Sequence, residues 1–138
     1  MKRAKLVNTL DKQRILSSID VSGQPPDHVR QLLSRIEESR EVRPALVPPD
    51  LVTMNSVVRV CDAETGVEDV YALVYPDAPP RTLPSGEAEW VTFQCRLGSA
   101  VFGRWVGEEI EFRGPRRTER LVIKGLEYQP EAAGDLER

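Results

Sequence analysis

Near residue 50 the spacing of apolar residues in this 138-residue chain changes period, and that change restricts the fold more than any other feature. Before it, Val29, Leu32, Leu33 and Ile36 stand at i, i+3, i+4 and i+7, the spacing of one helical face. After it, Val57, Val58, Val60 and Cys61, then Val70, Tyr71, Leu73, Val74 and Tyr75, form short runs rich in β-branched and aromatic residues. Pro44, Pro48 and Pro49 lie at the change and mark a stiff, extended joint near residues 43–50. The pattern predicts an α+β chain, with helices in residues 1–46 and a sheet domain in residues 47–138.

In the first part, Thr9 is placed to cap a helix running to about Asp20, with Leu10, Ile15, Leu16 and Ile19 as its apolar face. Val21-Ser22-Gly23-Gln24-Pro25-Pro26 cannot continue a helix, and Asp27 is a good N-cap for the second one. Two amphipathic helices joined by so short a break predict an antiparallel hairpin, a short coiled coil. Its tip is formed by Asp20, Gly23, Pro25, Pro26 and Asp27. The leucines and isoleucines of both helices read as packing residues.

In the second part, Ala63-Glu64-Thr65-Gly66 is a hairpin turn, its glycine suited to positive φ. Residues 77–89 carry three prolines and a glycine and read as a surface excursion. Trp90 to Phe93 is a short strand, and Leu97 to Phe102 gives one or two helical turns. Ile110-Glu111-Phe112 is a further strand. Gly114-Pro115-Arg116-Arg117 then turns into a long last strand, Thr118 to Gln129, whose Leu121, Val122, Ile123 and Leu126 suit a central position.

Composition removes several classes of function. Nine Lys/Arg against six Asp/Glu in residues 1–46, and ten against sixteen in residues 47–138, give a mildly basic arm on an acidic body. Nucleic-acid binding needs a broad basic face, so direct DNA binding is not expected. No apolar run approaches the ~18 residues of a membrane span, and no signal peptide follows Met1, so the expected address is the cytoplasm. Cys61 and Cys95 read as two reduced thiols. With a single histidine, His28, they are too few for a metal site or a nucleophile–base pair. No Gly-rich loop opens a helix after a strand, so no nucleotide phosphate is cradled. No cofactor and no catalytic residue is expected.

Three phrases carry a resemblance: Leu51-Val52-Thr53-Met54-Asn55-Ser56, Leu73-Val74-Tyr75-Pro76, and Leu126-Glu127-Tyr128-Gln129-Pro130-Glu131-Ala132-Ala133-Gly134-Asp135. In this order and spacing the stretch from Asp50 to Asp135 resembles the GreA/GreB transcription elongation factor family, and in particular its short members. The resemblance implies an FKBP-like C-terminal domain, a twisted antiparallel sheet with one short helix against it. It also implies a partner, bacterial RNA polymerase, gripped at the rim of its secondary channel. The family pattern for that grip falls on Cys95 to Gly103, with Cys95, Arg96, Leu97, Ser99 and Phe102 as the polymerase-facing residues. Cys95-Arg96 departs from a family pair that ends in proline.

Full-length members reach through the channel with a long hairpin whose acidic tip helps hold a metal ion. Here the arms would measure roughly 18 to 23 Å at ~1.5 Å per residue. That is too short to reach the catalytic centre, so transcript cleavage is not expected and a monomeric, non-enzymatic regulator is. For the tail, the expectation is a structural pin, with Tyr128 inward and the acids in water. Two rivals differ in class. One is a dimerisation module pairing hairpins, which apolar residues on the outer face of the second helix would favour. The other is a prolyl isomerase, which would need the aromatics to line a concave pocket.

Overall fold

The computed structural model describes residues 4–19, 23–76, 88–114 and 116–134. Strand β1, Leu6–Asn8, leads into helix α1, Thr9–Ser18; helix α2, Asp27–Glu38, leads into strand β2, Arg40–Val42, and a single 3-10 turn at Pro44–Leu46. The body then runs β3 Val57–Asp62, β4 Glu68–Val74, β5 Glu89–Thr92, α3 Arg96–Val101, β6 Glu109–Arg113, β7 Thr118–Tyr128 and α4 Pro130–Ala133. The α+β class read from the sequence is the class observed.

The main sheet has the order β5-β4-β3-β7-β6. Its centre is antiparallel, with Val58 opposite Tyr71 on one side and Leu126 on the other. The last strand is interior, as Leu121, Val122, Ile123 and Leu126 predicted. The sheet is not antiparallel throughout, however. β5 joins β4 in parallel, Tyr71 opposite Glu89 and Val74 opposite Thr92. A parallel partner needs a long connection, and residues 75–88 supply one. Most of the expected surface excursion, residues 77–87, lies outside the described residues, and Glu89 belongs to β5.

The helical part also differs in its packing. β1 and β2 pair in parallel, Leu6 opposite Arg40, and tie together the two ends of the helical segment. Helix α2 packs against α3 rather than along α1 as one arm of a coiled coil. The reason is in the apolar stripe. Val29, Leu32 and Ile36 are buried in one continuous core with Leu73, Phe93, Val101, Phe102 and Ile123. Helix α1 offers less: Ile15 and Ile19 join that core, while Leu16 is 47% exposed.

The caps differ from expectation by a residue. Asn8, not Thr9, caps α1, accepting from the Leu10 amide at 2.8 Å, and the Thr9 hydroxyl donates to the Val42 carbonyl at 3.1 Å. Pro26 holds the cap position of α2, and Asp27 is its first residue.

Candidate functional site

Helix α3 is short because its surroundings leave room for little else. Gly98 passes so close to β5 that a Cβ there would lie 1.9 Å from the Thr92 carbonyl oxygen. The Cys95 side chain occupies the N-cap and accepts from the Gly98 amide at 3.2 Å. The other end is closed from outside: Arg35 of α2 donates to the Phe102 carbonyl at 2.8 Å and to the Ser99 carbonyl. Orphan carbonyls at a helix C-terminus favour a cation, so Arg35 caps α3 in trans. At the opposite end of α2, a His28 ring nitrogen meets the Gln94 carbonyl at 2.7 Å.

These contacts sort the five residues anticipated as a grip. Arg96 is exposed, and Cys95 and Leu97 are half-buried. Ser99 is 3% exposed, its hydroxyl donating to the Arg96 carbonyl at 3.0 Å. Phe102 is 3% exposed and lies in the core. The sequence-derived set therefore divides into an outward Arg96, a Leu97 that packs partly against the core, Cys95 at the cap, and an inward pair that shapes the segment from beneath. Of the tip residues, Asp20 lies outside the described residues. Gly23, Pro26 and Asp27 are exposed, Pro25 is half-buried, and Asp27 pairs with Arg30 on the first turn of α2.

A second assembly joins the three sequence phrases. Asn55 sits at φ 65°, a left-handed conformation that Asn tolerates better than most residues. From there its amide donates to the Leu73 carbonyl at 2.6 Å, while Leu73 donates back to Ser56 at 3.0 Å. Gln129 donates from its side chain to the Pro48 and Leu51 carbonyls at 2.8 and 2.7 Å. Glu131 accepts from the Thr53 hydroxyl at 2.7 Å and from the Asn8 side-chain amide at 2.6 Å. Gly134, at φ 79°, closes α4.

Asp11 of α1 completes the knot. Its carboxyl accepts from the Met54 amide at 3.1 Å and from the Tyr75 hydroxyl at 3.2 Å. Burial, with the nearby Glu131 carboxylate adding to it, pushes Asp11 up to about 7. Burial and Asp11 likewise raise the Tyr75 hydroxyl. The tail is thus the pin the sequence predicted, and Tyr128 is buried. Glu131 is the correction: it turns inward rather than facing water, because Thr53 and Asn8 both need an acceptor. Sequence reasoning missed Asp11, Asn8 and Arg35, polar residues whose partners lie far away in the chain.

The chemistry open to these groups is holding and proton binding. Among the described residues no group of three or more His, Cys, Asp or Glu is arranged to hold a metal ion. Phe93 and Tyr75 lie in the core, Trp90 stands 42% exposed on β5, and Phe102 and Trp105 border a cleft beside α2. Among the described residues, no helix is long and apolar enough to cross a membrane.

Comparison with known proteins adds a lineage. Residues 47–128 match the family model for the C-terminal region of the transcription elongation factors GreA/GreB. The chain is 31% identical over 134 residues to the regulator of nucleoside diphosphate kinase of Escherichia coli, covering 94% of this chain and 93% of that protein. It is 23% identical over 101 residues to transcription elongation factor GreA of Thermodesulfovibrio yellowstonii, covering 73% of this chain and 61% of that one. Among solved structures, a GreA/GreB elongation factor from Nitrosomonas europaea superposes with TM-score 0.71 at 26% identity, over 92% of this chain and all of that one.

Proposed function

Because the chain belongs to the GreA/GreB transcription elongation factor family, we propose that it is a transcription regulator that binds bacterial RNA polymerase and does not cleave transcripts. The body, residues 47–138, docks at the rim of the secondary channel in competition with longer family members, and the helical part, residues 1–46, lies across the entrance. Any effect on nucleoside diphosphate kinase is then indirect, through transcription.

One observation carries the reading: the apolar stripe of α2 is buried against the body. Lifting α2 outward would expose Val29, Leu32 and Ile36, at roughly 1.5–3 kcal/mol each. Even extended, ten and twelve residues make arms of about 15 and 18 Å. Asp27, the described acid at the tip, already pairs with Arg30. A folded-back, short arm supports occlusion of a channel and speaks against delivery of metal-holding acids to a distant centre.

For the grip, Leu97 and Arg96 present the side chains, while Ser99 and Phe102 hold the segment in shape. The outer face of α2 carries Arg30, Gln31, Ser34, Glu37 and Glu38, all exposed and none apolar, which disfavours a dimerising arm.

The test is co-purification with RNA polymerase and displacement by a GreA-type factor. Leu97→Asp should weaken association at least tenfold with the fold intact, and added protein should leave the RNA in a backtracked complex at full length. No association at low salt overturns the proposal; shortened RNA overturns its non-cleaving half.

A further inference from the structure

Between α2 and the loop that follows α3 lies a cleft of about 620 Å³, within the size range of small-molecule sites. Leu32 and Ile36 form one wall, and Phe102, Trp105 and Val106 another. Arg35 and Arg104 both line it. Arg104 donates from Nε to the Ala100 carbonyl at 2.9 Å and pairs with Glu108 at 3.1 Å. The two lining carboxylates therefore already have partners: Glu108 has Arg104, and Glu109 has Arg120 at 3.8 Å. Lys5 is paired as well, with Glu38 at 2.6 Å.

Arg35 is the charge left over. Among the described residues it has carbonyl oxygens as acceptors and no carboxylate within ion-pair distance. A guanidinium has five N–H donors, and two of those on Arg35 are accounted for by Ser99 and Phe102. Burial, and then the neighbouring Arg104 charge, hold it down at about 10, well below its ordinary value. Around this apolar-walled space, Lys5, Arg35 and Arg104 against Glu108 and Glu109 leave one surplus positive charge in a partly desolvated place. Such a charge favours an anionic partner.

We propose that this cleft binds a small organic anion, a carboxylate or phosphate carried on an apolar body the size of a single ring. Arg35 and Arg104 take the oxyanion, and the part-exposed Leu6, Trp105 and Val106 take the ring over the buried Leu32, Ile36 and Phe102. The site is separate from the outward face of Arg96 and Leu97 and does not depend on polymerase binding.

The test uses the full chain with Trp90→Phe, which leaves Trp105 as its one tryptophan. Phenylacetate and phenyl phosphate are titrated against neutral phenylacetamide by Trp105 emission, and backbone amide shifts map the site. At least one anion should bind ten or more times tighter than the amide, with shifts confined to residues 4–6, 32–39 and 102–109. The tighter of the two identifies the oxyanion. Arg104→Gln, which removes one bond to α3 where the loss of Arg35 would remove two contacts at its C-terminus, should weaken the anion about tenfold and leave the amide unchanged. Equal affinity for acid and amide, shifts scattered elsewhere, or indifference to Arg104→Gln overturns the proposal.

Discussion

Replacing Asp11 by Asn should remove most of the pH dependence of this protein's stability near neutrality. In the folded protein the Asp11 carboxyl holds its proton up to about 7, against 3.8 for an unperturbed aspartic acid. The unfolded chain therefore releases that proton at lower pH than the folded one does. Stability from this group is complete below the unfolded value, falls as pH rises, and is lost once pH passes about 7. Between these limits the loss is about 1.4 kcal/mol per pH unit, so roughly 3 kcal/mol from pH 5 to pH 8.

The groups facing Asp11 are Glu131, Arg14 and Tyr75, and Tyr75 is shifted upward, away from this window. In the Asp11→Asn variant the amide oxygen still accepts from Met54, and the amide nitrogen donates to the Tyr75 oxygen. Urea unfolding at half-unit steps from pH 5 to 8 should give a falling line for the parent and a nearly flat one for the variant, the variant being the more stable at pH 8. A parent line without slope would mean that Asp11 is ionised throughout, held by Arg14. An equal slope in both proteins would place the proton elsewhere. Either result refutes the reasoning.

Glu131→Gln removes the second cause of the Asp11 shift, so the pH at which stability is lost should move downward, read from the same titration. Arg35→Ala uncaps α3 and should cost about 2–3 kcal/mol in chemical denaturation, since its lost bonds are charge-assisted. Gly98→Ala forces a Cβ into the Thr92 carbonyl; a loss of about 3 kcal/mol, or on the order of 10 °C in Tm, is expected, and an unchanged melt would contradict the close approach.

Local periodicity was enough to place α2, the hairpin turn at residues 62–67, α3 and the long interior strand β7. Each of these is specified by neighbours in sequence. Where partners lie far apart, legibility ended. Nothing local to Glu89-Trp90-Val91-Thr92 says that β4 receives it in parallel, and nothing local to Leu6-Val7-Asn8 says that Arg40-Glu41-Val42 will pair with it. Phe102 reads as polymerase-facing from the resemblance and lies in the core, because a helix of six residues is under two turns and gives little periodicity by which to tell its faces. Asp11 draws no reading from the sequence, because what surrounds it, Met54, Tyr75 and Glu131, is supplied by later segments. The polymerase-facing reading of Arg96 and Leu97 came from resemblance alone; Arg96 is exposed, and Leu97 is half-buried against the core.

The bond from Asn8 to Glu131 spans 123 positions. During synthesis, α1 leaves the ribosome well before the Glu131 acceptor of its Asn8 cap has been translated. Until then the nascent chain carries a helix without its final anchor, and such long-range closure is slow.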